Sequence, residues 1–152
     1  MMTSINFIYI LSLATWIGSI VFFSFFAAPA IFKTLDRDKA GEVVGVIFPR
    51  YYGIGYVCAP LALAALWLGG VQNLMDARCV LLLLMAGASM VAGKVVGPKA
   101  RNLKELIKKN PANKDAAQAK FDQLHSISVK LNATVLVLGL VLLWFTAADL
   151  RL

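Results

Sequence analysis

The chain has one histidine, His125, and it stands where the last long apolar run begins. In the segment FDQLHSISVKLN, residues 121–132, a helix would place Phe121, Ser128 and Asn132 within about 60° of His125. An imidazole changes charge near neutral pH. With a hydroxyl and an amide in line, it could bind or relay a polar solute. A second polar line lies in the first apolar run, where Ser12, Thr15, Trp16 and Ser19 share one helix face. Two such stripes in otherwise apolar helices tend to face each other rather than lipid. Two readings follow, and the residues leave both open. Either these groups bond between helices, at about 0.6 kcal/mol each, and fix the packing register. Or they line a polar pocket between the first and fourth helices that opens at one membrane face.

Other chemistries have less to work with. A single histidine gives one ligand, so bis-histidine haem binding needs a second chain. Cys58, Cys79, Met85 and Met90 are soft ligands, but only the two methionines are close in sequence, and their spacing suits one helix face poorly. No GxSxG, HExxH or pair of carboxylates within an apolar run occurs. We therefore expect no enzyme, cofactor or metal. The two cysteines lack CxxC spacing and read as buried free thiols.

The elements that must position these residues follow from composition. Hydrophobic residues make up 60% of the 152 positions and the mean hydropathy is +0.76, above a soluble domain. No Lys, Arg, Asp or Glu occurs in residues 1–32, 51–75, 79–93 or 131–148. A spanning helix needs about 20 largely apolar residues. The third gap reaches that length if Lys94 snorkels toward the headgroups. The expectation is an all-α integral membrane four-helix bundle, a single domain over 1–152, with spans near 6–32, 51–73, 79–97 and 126–148. AAPA at 27–30 faintly resembles a signal-peptidase site, but no Lys or Arg precedes the run and the run is long. It reads as a retained helix.

The formal net charge of +7 has a topological use. Of the fifteen basic residues, eleven fall in two segments: Lys33, Arg37, Lys39 and Arg50, then Lys99, Arg101, Lys104, Lys108, Lys109, Lys114 and Lys120. With four spans both segments share one side. The positive-inside rule makes that side cytoplasmic and leaves both termini and the 74–78 turn outside, or periplasmic, in a plasma or inner membrane. The basic loops would meet anionic lipid headgroups. Nucleic acid is not expected, because no aromatics interleave with the cations.

Between the first two spans, Asp36 or Asp38 could cap a short amphipathic helix with Ala40, Val43, Val44 and Ile47 on its apolar face. Phe48-Pro49 would end that helix on the cytoplasmic surface, and Arg50-Tyr51-Tyr52 would anchor the second span. Pro98 would interrupt the third helix, with Leu103, Leu106 and Ile107 continuing as a cytoplasmic extension. After a break at Asn110-Pro111, Asn113 could cap a fourth helix running to Ala148. At 1.5 Å per residue it would be about 52 Å long and project beyond the roughly 30 Å hydrocarbon layer. Met85, Ser89, Gly93 and Gly97 form a mostly small ridge on the third span, and Gly55 and Ala59 one on the second, where Pro60 would bend the helix. Tyr9, Trp67 and Trp144 would be outer-interface aromatics.

Several segments together resemble a known group. YILSLATWIGSIVFFSFFAAPAIF, AGEVVGVIFPRYY, VVGPKARNL and FDQLHSISVKLN are similar to the TMEM-two-hundred-and-five-like family, small four-helix membrane proteins with a domain of unknown function. The motif positions are Trp16 and Gly18, Gly41, Phe48-Pro49 with Tyr51, Pro98, and Phe121, His125, Ser128 and Asn132. The resemblance implies an integral membrane role, in export or handling of a small cationic or metal-containing solute, and supplies no catalytic residues. The expected function is thus a non-enzymatic membrane protein that binds or transports such a solute and works as a homo-oligomer or in a larger complex. The alternatives are a non-catalytic accessory or scaffold subunit of a larger membrane assembly, of respiratory or photosynthetic type, and a haem- or metal-binding membrane protein.

Overall fold

A computed structural model describes residues 2–109 and 114–149, and every regular element among them is helical. The first helix is Met2–Thr34 and the second Arg37–Leu68. The third occupies 77–109, and the fourth is Lys114–Asp149. All four are long and apolar enough to cross a membrane. This is a multi-pass membrane protein. Each helix, at 1.5 Å per residue, is about 45–55 Å long and exceeds the hydrocarbon layer.

The helices run through their prolines, and the local geometry shows how. The first helix widens into a π-turn at Phe23–Ala27 and the third at Val91–Val96. In each, the residue before a proline donates its N–H five residues back, Ala28 to Phe23 and Gly97 to Ala92. Pro29 and Pro98 follow directly. A proline ring in a tight α-turn clashes with the carbonyl four residues earlier. The extra residue of a π-turn relieves that crowding. The third helix therefore does not stop at Pro98. It continues as the expected extension.

The second helix corrects a further expectation. Pro49 and Pro60 both lie inside it, so the segment beginning at Arg37 is not a separate amphipathic helix ended by Phe48-Pro49. The missing hydrogen bond is outweighed by packing on either side of Pro49. Ala40 and Val44 are buried in the protein. The Phe48 ring meets those of Phe23 and Tyr52 at centroid distances of 5.4 and 5.7 Å. Asp36 takes the N-cap position without a side-chain cap bond, and its carbonyl accepts the Ala40 N–H at 2.8 Å.

The first helix packs on the second and fourth, and the third also packs on the second and fourth. Leu13, Ile20, Leu82, Met85, Val135 and Leu142 are the large side chains fully enclosed between them. Close approach depends on glycine at two positions in particular. A Cβ on Gly55 would lie 2.8 Å from Trp16 Nε1, and one on Gly93 would lie 2.8 Å from Tyr52 Cγ. The small ridge of the third helix thus receives the tyrosines of the second. The outer surface is apolar, with Phe22, Phe25, Phe26, Leu84 and Leu140 exposed. Trp67 and Trp144 are also exposed, but Tyr9 is buried, where it shares a hydrogen bond of 3.2 Å with Thr146 across the first and fourth helices. It is a core residue rather than an interfacial one. Cys58 and Cys79 are buried free thiols.

At the same end, Gly70 turns the chain with φ +98° and Asp76 caps the third helix by accepting the Arg78 N–H at 2.9 Å. The Arg78 side chain also bonds that carboxylate and holds it below the usual carboxylate range. The break at Asn110-Pro111 and the cap at Asn113 lie outside the described residues.

Candidate functional site

The polar line of the fourth helix reaches the second helix rather than the stripe on the first. Tyr51 donates its hydroxyl hydrogen to Asn132 Oδ1, and the hydroxyls of Tyr52 and Ser128 share a bond of 2.9 Å. Asn132 Nδ2 also donates to Ser24 Oγ at 3.2 Å, which ties in the first helix two turns beyond Trp16. These bonds cross the centre of the protein. Phe23, Phe48, Tyr51 and Tyr52 surround them with aromatic rings, and Phe23 lies 5.1 Å from Tyr51 between centroids.

The stripe on the first helix divides. Ser12 is buried and donates to the Ile8 carbonyl, and Ser19 donates to the Trp16 carbonyl, both within their own helix. Trp16 is buried over Gly55 of the second helix. Thr15 and Gly18 are exposed on the outer surface. None of these residues lines a cavity with His125. Among the described residues of the first helix it is Phe32, not the stripe, that shares a cleft with His125.

One opening at the basic end lies among the second, third and fourth helices. A cleft of about 330 Å³ is lined by Gly41, Val44, Gly45, Phe48, Pro49, Tyr52 and Tyr56 of the second helix. The third helix contributes Gly93, Lys94, Val96, Gly97, Pro98, Ala100, Arg101 and Lys104, and the fourth Phe121, Leu124, His125 and Ser128. The Tyr52–Ser128 bond and Tyr56, whose hydroxyl contacts the Ser89 carbonyl at 3.5 Å, belong to its inner end. Seven of the motif positions named above meet here: Gly41, Phe48, Pro49, Pro98, Phe121, His125 and Ser128. Tyr51 and Asn132 sit beside it in the central bonds.

Its charge is one-sided. Lys94, Arg101 and Lys104 line it, and among the described residues that do so none is a carboxylate. Lys94 Nζ lies 5.3 Å above the centre of the Tyr56 ring, a cation–π placement. Lys104 Nζ donates to the Asp38 carbonyl at 3.3 Å and passes over Gly41, where a Cβ would lie 2.5 Å from it. The imidazole of His125 is exposed and stacks on Phe121, with centroids 6.3 Å apart and planes 8° apart. Beyond His125 a wider cleft of about 700 Å³ carries mixed charge, with Arg37, Lys104, Asp38, Glu42 and Asp122. Among the described residues no three His, Cys, Asp or Glu side chains gather as a metal site would require.

Tyr52, Tyr56, Lys94, Arg101 and Lys104 were not singled out as site residues from sequence. One signal was present. Lys94 and Arg101 are seven residues apart, about two helical turns, which puts them on one face. That signal counts only if the third helix passes Pro98. Chemically, the arrangement offers cations, hydroxyl groups and an aromatic wall to one ligand.

Comparison with known proteins gives a family but no activity. The chain is 33% identical over 128 residues to an uncharacterized protein of Aquifex aeolicus (strain VF5), covering 84% of this chain and 86% of that one. No solved structure matches it. Residues 11–109 match the family described as Domain of unknown function (DUF4149), a stretch that includes most of the cleft but ends before the fourth helix. The chain belongs to that family.

Proposed function

We propose that this membrane protein is a non-catalytic binding protein whose cleft at the basic end holds an anionic group. One observation carries the reading: Lys94, Arg101 and Lys104 share the cleft, and no carboxylate is among the described residues that line it, although Lys104 also faces the mixed-charge cleft beyond His125. Charges that face a partly enclosed site act more strongly than charges in open water. The cationic or metal-containing solute implied by the resemblance would meet like charge there, which is unfavourable. The hydroxyls of Tyr52, Tyr56 and Ser128 supply further polar groups.

The positive-inside rule supports a cytoplasmic basic end with both termini on the opposite, periplasmic side of a plasma or inner membrane. The basic segments around the cleft then lie against anionic headgroups. A homo-oligomer or a larger assembly is the second part of the proposal. It is supported by Thr15 and Gly18, which stand on the outward face of the first helix with nothing within 4 Å of a Gly18 Cβ. Small residues at such a face let another helix approach closely.

Thermal unfolding in neutral detergent tests the reading with two soluble probes, hexyl phosphate and hexyltrimethylammonium. The phosphate should raise the midpoint, and at a concentration 100 times its Kd the stabilisation should approach about 2.7 kcal/mol. The ammonium should not. Stabilisation by the ammonium alone would overturn the proposal.

A further inference from the structure

We infer that the anionic group is the headgroup phosphate of a membrane phospholipid that carries no headgroup amine, with part of an acyl chain lying along the second helix. This rests on the anion-binding reading of the cleft and names its occupant.

The two long walls of the cleft differ in kind. The third helix supplies Lys94, Arg101 and Lys104, spread over ten residues or about 15 Å of helix. The second helix supplies no charged group to it between Gly41 and Tyr56, a length of about 22 Å. Its contribution there is Val44, Gly45, Phe48 and Pro49, followed by the two tyrosines. A small hydrated anion would satisfy the cations and leave the apolar wall against water. A molecule with a phosphate at one side and hydrocarbon at the other satisfies both walls. The volume, about 330 Å³, is at the small end for a ligand site and suits a headgroup with part of one chain.

Position in the protein supports the same occupant. Lys94 follows directly on the uncharged run of residues 79–93, and Arg101 and Lys104 belong to the polar extension of that helix. The cations therefore begin where the apolar part of the third helix ends. Headgroup phosphates of the surrounding bilayer lie at that level. Three cations in a cleft that no carboxylate among the described residues lines, two of them, Lys94 and Arg101, absent from the mixed-charge cleft beside it, also discriminate between lipids, because a headgroup ammonium would be repelled. Phosphatidylglycerol fits, and phosphatidylcholine does not.

Native mass spectrometry of the protein in neutral detergent tests this, with phosphatidylglycerol and phosphatidylcholine of equal chain length as ligands and hexyl phosphate and inorganic phosphate as competitors. Two variants accompany the wild type. One is the triple substitution K94Q, R101Q and K104Q. The other is Gly45→Trp, which puts a large ring at a cleft-lining position whose Cβ would meet nothing within 4 Å, with its unfolding midpoint measured beside the wild type. The expected result is phosphatidylglycerol bound at least tenfold more tightly than phosphatidylcholine, with that preference lost in the triple variant and binding reduced at least tenfold by Gly45→Trp. Equal binding of the two lipids in all three proteins, with hexyl phosphate or inorganic phosphate still bound by the wild type alone, would overturn the lipid inference and leave an anion site. If no anion of any kind binds preferentially to the wild type, the inference and the reading beneath it both fall.

Discussion

Gly93→Ala probes the packing that forms the inner end of the cleft. A Cβ at that position would lie 2.8 Å from Tyr52 Cγ and 3.0 Å from Tyr52 Cβ, and would run into the Tyr56 hydroxyl. Tyr56 can swing its distal end away. Tyr52 cannot, because the contacted atoms are next to its backbone, the side chain is buried, and its hydroxyl is bonded to Ser128. Overpacking of this sort costs about 1–3 kcal/mol. Loss of the Tyr52–Ser128 bond adds about 0.6 kcal/mol if the ring moves. Replacing a helical glycine by alanine offsets up to about 1 kcal/mol of this through backbone entropy. Gly87→Ala on the same helix isolates that gain, since nothing lies within 4 Å of its Cβ. The two variants should therefore differ by about 1–3 kcal/mol, which for a chain of this size is roughly 2–12 °C in midpoint. The assay is thermal unfolding of both proteins in the same detergent. Midpoints within about 1 °C of each other would refute the tight contact between the second and third helices.

Three further outcomes follow from the same geometry. Asn132→Leu leaves the Tyr51 hydroxyl and Ser24 without their partner, and should lower stability by about 1–3 kcal/mol in the same unfolding assay. His125→Ala removes an exposed ring stacked on one neighbour and should change stability by less than about 0.5 kcal/mol. Asp76→Ala removes the N-cap of the third helix and should cost about 1 kcal/mol at neutral pH. Because Arg78 holds the folded carboxyl below its usual range, this contribution is present above the ordinary carboxylate value near about 4. It fades as pH falls through the lower folded value, so the gap between wild type and Asp76→Ala should narrow in acid.

Three spans were legible because charge-free runs of about 18 residues or more have few other uses in a sequence, and the third because Lys94 at the end of a shorter run can snorkel. The length of the fourth helix was legible too, since nothing between Lys114 and Asp149 breaks it. The reading at Pro49 failed for a physical reason. A proline marks the loss of one hydrogen bond and a steric clash, but whether a helix stops there depends on packing from distant residues, here Phe23 against Phe48. The π-turns before Pro29 and Pro98 have the same character, a local adjustment held by the helix around them.

The candidate site was half legible. Helical spacing identifies the face that carries Ser128 and Asn132, but it does not say which helix lies opposite. Tyr51 and Tyr52 read as interfacial anchors beside Arg50, and in the fold they turn inward to meet that face. The serines of the first helix looked like a matching stripe, yet Ser12 and Ser19 satisfy themselves on their own backbone. Arg101 and Lys104 were visible only as part of a basic loop and Lys94 only as a snorkelling residue, because their assembly needs the third helix to continue through Pro98.

The affinity for hexyl phosphate, measured on two triple variants against the wild type, tests the central claim most directly. In one, K94Q, R101Q and K104Q neutralise the cleft; in the other, S12A, T15A and S19A erase the polar stripe of the first helix. Binding at the cleft predicts a loss of at least tenfold in the first variant and wild-type affinity in the second. Affinity lost with the stripe and kept without the three cations would contradict it.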